Sequence, residues 1–170
     1  MTIKKVWRRE LFPAEKRVDF KQLEEGWLSV ETSLVDELVP AMVQVIDRLE
    51  KDLRVILDAK KYKDLKDIKV GYKDKLVRIF KTHLFDAFKI GKSGAYKEFN
   101  IKKDIVLDAS AREFMTAKAE TVVGGLLDKI KTSTLFTTLA GLKAGYTTDQ
   151  IIKDVRGPEF ESQKTELVTV

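Results

Sequence analysis

The sequence predicts an all-α fold: a long N-terminal helix, kinked at a proline, packed with about four further helices and preceded by an extended arm. Three observations carry this. Apolar residues recur from Phe20 to Ile56 in ten steps over 36 positions, a mean spacing of 3.6, which is the period of an α-helix and not of a strand. Glycine and proline are scarce, 9 and 3 in 170 residues, so little of the chain can be long irregular connection. Capping patterns then divide the remainder into further helices.

Composition sets the outer limits. Hydrophobic residues make up 44% and charged residues 35%, too apolar for disorder and too charged for a membrane span. A chain of this size hides roughly two-thirds of its unfolded surface, enough for one domain with a real core. We divide it into an extended arm over 1–18, a helical domain over 19–157 and a flexible tail over 158–170. There is no cysteine, which excludes disulfides, thiolate metal sites and thiol nucleophiles. The Met-Thr-Ile-Lys-Lys start has no apolar stretch behind it, so no secretory signal is expected.

The elements follow in order. The arm, with Trp7-Arg-Arg-Glu-Leu-Phe12-Pro13, has no helical period, and its aromatics need a surface to pack on. Asp19 is a candidate N-cap with Gln22 as its capping-box partner. The first helix then carries its stripe through Leu23, Trp27, Val30, Leu34, Leu38, Met42, Val45, Leu49 and Leu53. Gly26 and Pro40 interrupt without shifting the phase, giving one helix kinked near Pro40 or two nearly collinear ones. At about 38 residues and 57 Å it is too long for a compact core to cover, which leaves a homo-oligomer open.

Residues 58–71 form a lysine-rich connection ending at Gly71. A second helix is expected over 72–97, with Leu76, Ile79, Phe80, His83, Leu84, Ala87 and Phe88 inward; Gly91 and Gly94 weaken its end, where it either stops near 90 and resumes or runs on. After a link from Asn100 to Leu107, Ser110 and Glu113 form a capping box for a third helix. Its expected inward face is Phe114, Met115, the Lys118 stem, Val122, Leu126 and Ile130. The Gly124-Gly125 pair in its middle costs roughly 2 kcal/mol relative to alanine and is best explained by close backbone packing. Ser133 or Thr134 opens a short helix ending at Gly145, a suitable C′ residue. Thr147 to Gln150 caps a final helix that Gly157-Pro158 stops.

Catalytic patterns are missing from this sequence. His83 is the sole histidine and falls on an apolar face, where a core role with one satisfied hydrogen bond outweighs a ligand role. With no second histidine or cysteine, no metal site is expected, and no cofactor. None of Ser29, Ser33, Ser93, Ser110, Ser133 and Ser162 lies in a nucleophile elbow. Gly91-Lys-Ser-Gly94 lacks the upstream glycine of a phosphate loop, since Asp86 stands there, and no strand precedes it. Glu24-Glu25 and Asp36-Glu37 are adjacent on helix surfaces and point about 100° apart, so they are solvated charges and not an acid–base pair.

Charge is the informative feature. The net charge is +5, yet residues 51–103 hold 16 basic and 7 acidic side chains, a balance of +9, against −2 on either side. The middle third therefore carries all the excess. Either it is a solvated lysine face or it meets phosphate backbones. Lysine predominates over arginine, which suits non-specific contact with double-stranded DNA better than base readout. The candidate nucleic-acid-binding residues are Lys60, Lys61, Lys63, Lys66, Lys69, Lys73 and Lys75. Trp27, Tyr72, Tyr96 and Tyr146 are assigned to core packing or inter-helix contact ahead of stacking on bases. Trp7, Arg8, Arg9, Leu11 and Phe12 on the arm are candidates for docking on a partner protein. The Gly145-Tyr-Thr-Thr-Asp-Gln150 junction has a helix–turn–helix look that bundles share.

Two stretches resemble a known family. Arg8-Arg-Glu-Leu-Phe-Pro-Ala-Glu-Lys-Arg-Val-Asp-Phe20 with the Trp27 helix resembles the N-terminal part of tailed-phage head morphogenesis proteins, minor head proteins that sit near the portal. Residues 114–155, above all Leu139-Ala-Gly-Leu-Lys-Ala-Gly-Tyr-Thr-Thr-Asp-Gln-Ile-Ile-Lys-Asp-Val155, are similar to that family's paired-helix segment. The two cover about two-thirds of the chain. The family's C-terminal Ala-Arg-Thr-Glu-like motif does not occur here, so this is a fragment, a short variant, or a related segment fused elsewhere. The resemblance implies a non-enzymatic virion component, assembled in the host cytoplasm, that contacts portal or capsid proteins and packaged DNA. The rival readings are a helical adaptor module without nucleic-acid affinity and an enzyme built from acidic and hydroxyl groups alone.

Overall fold

The computed structural model describes residues 20–98 and 108–157. The arm 1–18 with its candidate cap Asp19, the link 99–107 and the tail 158–170 lie outside the described residues. What is described is all-α, with no strand: helices α1 (Phe20–Asp58), α2 (Lys73–Glu98), α3 (Ala109–Lys143) and α4 (Thr148–Arg156), and a 3-10 helix (Tyr62–Asp67) between α1 and α2. No described helix is long and apolar enough to cross a membrane.

The helix α1 is continuous through Pro40, which sits on its exposed side. A proline there removes one backbone hydrogen bond without meeting the core. The apolar stripe is inward only in its second half. Leu38, Ala41, Met42, Val45, Leu49, Leu53 and Leu57 are buried, whereas no residue from Lys21 to Glu37 is. Trp27 does not point inward as expected; it is 54% exposed. Near Trp27 the contact with α2 runs through Leu23 and Gly26, and Trp27 stands about 100° round the helix from Gly26.

Paired side chains define the topology. Leu23 meets Gly94, Gly26 meets Ile90, Glu37 meets His83, and Gln44 meets Lys75. One number rises as the other falls, so α1 and α2 are an antiparallel hairpin. The connection is pinned by Leu65 and Ile68, both buried in the common core. The helix α2 runs unbroken through Gly91 and Gly94. Leu76, Ile79 and His83 are buried as expected, while Phe88 is 37% exposed.

The helix α3 departs from expectation in three ways. It is one helix of 35 residues, because Thr134 sits inside the ladder as a buried residue and does not open a new helix. Its N-cap is Asp108, whose side chain accepts from the Ala111 N–H at 2.7 Å, and not Ser110. Its buried face is Met115, Ala119, Val123, Leu127, Ile130, Thr134, Thr138 and Gly141. Phe114 and Val122 point outward, and Lys118 is exposed. The inward residues are mostly small because the neighbouring helices come close, and large apolar groups are left outside. Gly124 and Gly125 face open space, with nothing within 4 Å of an added Cβ, so close packing does not explain them. The close approaches are elsewhere: a Cβ on Gly141 would lie 2.7 Å from Ile151 Cγ1, and one on Gly94 would lie 2.8 Å from Leu23 Cδ2.

The end of α3 is as predicted. Gly145 has φ +71°, the Tyr146 N–H reaches the Gly141 carbonyl at 2.9 Å and the Gly145 N–H the Leu142 carbonyl at 3.2 Å, a Schellman closure. Thr147 and Gln150 form the expected capping box on α4. Buried Ile151 and Ile152 seat α4 in the core, and it runs antiparallel to α1. Arg54 Nη1 donates to Asp149 Oδ1 at 2.6 Å, and Arg156 donates to Glu50 at 2.9 Å and Asp47 at 3.0 Å. The hydrogen bond that Arg54 donates to Asp149 raises the Arg54 pKa above its ordinary value, against an opposing desolvation.

Candidate nucleic-acid interface

The seven lysines singled out in sequence lie on one stretch of surface. Lys60 and Lys61 close α1, Lys63 and Lys66 ride the 3-10 helix, Lys69 follows it, and Lys73 and Lys75 belong to the first turn of α2. All seven are exposed. They are presented outward because Leu65 and Ile68 anchor the same stretch inward. Lys75 Nζ donates to Gln44 Oε1 at 2.7 Å, which ties its side chain to α1. Two non-glycine residues with positive φ bracket the stretch: Lys60 at 54° and Tyr72 at 66°. Each costs backbone energy that the surrounding contacts must offset.

Further residues escaped the sequence reading. Opposite its buried line of Leu76, Ile79, His83 and Gly94, the helix α2 presents Arg78, Lys81, Phe85, Phe88, Lys89, Lys92 and Tyr96. Here cations and rings alternate at helical spacing. Lys81 Nζ lies 5.6 Å from the Phe85 ring centre, and Lys92 Nζ lies 5.7 Å from Phe88 and 5.5 Å from Tyr96. Such contacts are worth roughly 0.5–1 kcal/mol at exposed sites and hold the ammonium groups over the rings. The signal was in the sequence: each of these pairs is four residues apart. It was obscured because Phe88 and Ala87 were assigned to the inward face. Acidic neighbours temper the surface, with Asp86 pairing to Lys89 at 3.3 Å. Even so, residues 58–97 hold 12 basic and 5 acidic side chains, a balance of +7.

The other candidates do not join this surface. His83 is buried, 3.5 Å from Glu37 Oε1, and its Nε2 has no hydrogen-bond partner. The buried position is the one expected of a core residue. Among the described residues no group of three His, Asp or Glu side chains could hold a metal ion. At the α3–α4 junction Ile151 and Ile152 turn α4 into the core, and its exposed side carries charges of both signs, Asp149, Lys153, Asp154 and Arg156. The docking candidates Trp7, Arg8, Arg9, Leu11 and Phe12 lie outside the described residues. No protein-family model, curated protein sequence or solved structure matches this chain.

Proposed function

We propose that this protein is a non-enzymatic helical assembly protein that binds double-stranded DNA without sequence preference. On the resemblance of its sequence it is a minor head protein of a tailed phage, docking through its arm on portal or capsid proteins. The observation that carries the DNA reading is the continuity of positive charge from the lysine stretch at Lys60–Lys75 onto the outer face of α2. Lysines on flexible stems give phosphate contact with little base discrimination. The interleaved rings of Phe85, Phe88 and Tyr96 add flat surface beside the cations. An adaptor without nucleic-acid affinity is the competing reading, and the exposed apolar groups of α3 favour it.

Charge reversal separates the two. In the full chain, Lys81→Glu with Lys92→Glu is expected to lower affinity for a DNA duplex at low ionic strength by at least about tenfold. Neither side chain is buried in the core, so the fold should persist, with the thermal midpoint lowered by loss of the three ring contacts. Unchanged DNA affinity in a folded variant refutes the proposal and leaves the adaptor reading.

A further inference from the structure

The line of α1 that is buried at Leu38, Met42, Val45 and Leu49 continues towards the start of the helix by steps of three and four. It passes through Val35, Glu31, Leu28 and Glu24, with Trp27 beside it. There the line is bare. Trp27 is 54% and Leu28 61% exposed, and Glu24 and Glu31 are exposed too. Neither carboxylate has an ion-pair partner among the described residues. Lys21, at the edge of the face, is turned to Glu25 at 4.0 Å. The face is therefore apolar and acidic. Lower on α1, α4 shows what covers such a surface: Ile151 and Ile152 enter the core while Arg156 donates to Glu50 and Asp47.

We infer that this face is the seat of the chain's own arm. Trp7, Leu11 and Phe12 cover Trp27, Leu28 and Val35, and Arg8 and Arg9 pair with Glu24 and Glu31. Charge selects the occupant. Residues 1–19 hold six basic and three acidic side chains, a balance of +3, whereas 158–170 hold one and three, a balance of −2. A second copy of the face would bring like charges together. The tether fits as well. Trp7 to Phe12 lie 8–13 residues ahead of Phe20, a reach of at most roughly 26–43 Å, while Trp27 to Glu31 stand only about 10–17 Å along α1. The inference rests on neither DNA affinity nor the phage resemblance. Its consequence is that a partner protein taking the arm must first displace it from α1.

The chain has two tryptophans, so Trp7→Phe leaves Trp27 as the sole reporter in the full chain. Adding Arg8→Glu and Arg9→Glu should red-shift its emission and raise its quenching by acrylamide at least about twofold, at unchanged helical content. Reversing the face as well, with Glu24→Arg and Glu31→Arg, should restore the original emission, which a merely structural effect of either pair would not do. These responses should be the same at every protein concentration, because arm and seat belong to one chain. Trypsin gives a second reading: cleavage after Arg8 and Arg9 should be slower in the wild type than in Glu24→Gln with Glu31→Gln. Trp27 emission indifferent to the charge of the arm overturns the inference, as happens if residues 99–107 cover the face. So does a response that grows with protein concentration, which places the arm on another copy, and so does equal cleavage of the two proteins.

Discussion

Lys60 stands where a helix C-terminus ordinarily places glycine. Its N–H reaches the Leu57 carbonyl and the Lys61 N–H reaches the Ile56 carbonyl, both at 3.0 Å, so the closure of α1 is of the Schellman type with lysine at the left-handed position. Lys60→Gly should therefore raise unfolding free energy by roughly 1 kcal/mol in denaturant titration. The same change should weaken DNA binding, because it removes a cation from the candidate surface. Glycines divide by what faces them. Gly91→Ala meets open space and should stabilise by about 0.5–1 kcal/mol. Gly141→Ala should destabilise by roughly 1–3 kcal/mol, since its Cβ would press on the fully buried Ile151. Equal effects of the two on the denaturation midpoint would contradict this packing. None of these distinctions is legible in sequence, where a glycine inside a helix looks alike whether it faces a neighbour or solvent.

At the scale of elements, the sequence was most informative where several local signals agreed. The α4 cap is the clearest case: Thr147, Gln150 and Gly145 each have a fixed role at fixed spacing, and all three take it. The phase of α3 was misread because its inward side is made of Ala119, Thr134, Thr138 and Gly141, which hydropathy ranks below Phe114 and Val122. Closeness of neighbouring helices, a tertiary fact, decided which side turned in. Likewise Trp27 belongs to a correct helical stripe but to a stretch where no residue of α1 is buried. The outer ridge of α2 was present as lysine–aromatic spacing, yet its exposure depended on which face met α1 and α3. For α4 itself, Ile151→Ala should cost about 2–5 kcal/mol, and Thr147→Ala about 1 kcal/mol. Hydrogen exchange should show the Thr148–Arg156 amides losing protection first in both variants; uniform loss throughout the bundle would mean that α4 does not open separately.

On the scale of the whole molecule, the fold acts as a frame that sorts surfaces. Antiparallel pairing of α1 with α2 turns the lysine stretch and the α2 ridge outward, while α4, tied to α1 by Arg54 and Arg156, adds Ile151 and Ile152 to the common core. Net charge of +5 understates the result, because the basic excess is gathered on residues 58–97 and the rest of the chain is slightly acidic. An electrostatic surface of this kind predicts association that depends steeply on salt and weakly on base sequence. The most direct measurement is the affinity of the full chain for duplex DNA as a function of salt concentration. The account predicts a linear fall of log K with log salt, with a slope of about −4 or steeper, and similar values for duplexes of unrelated sequence. No binding at low ionic strength, or binding that salt leaves unchanged, would contradict it.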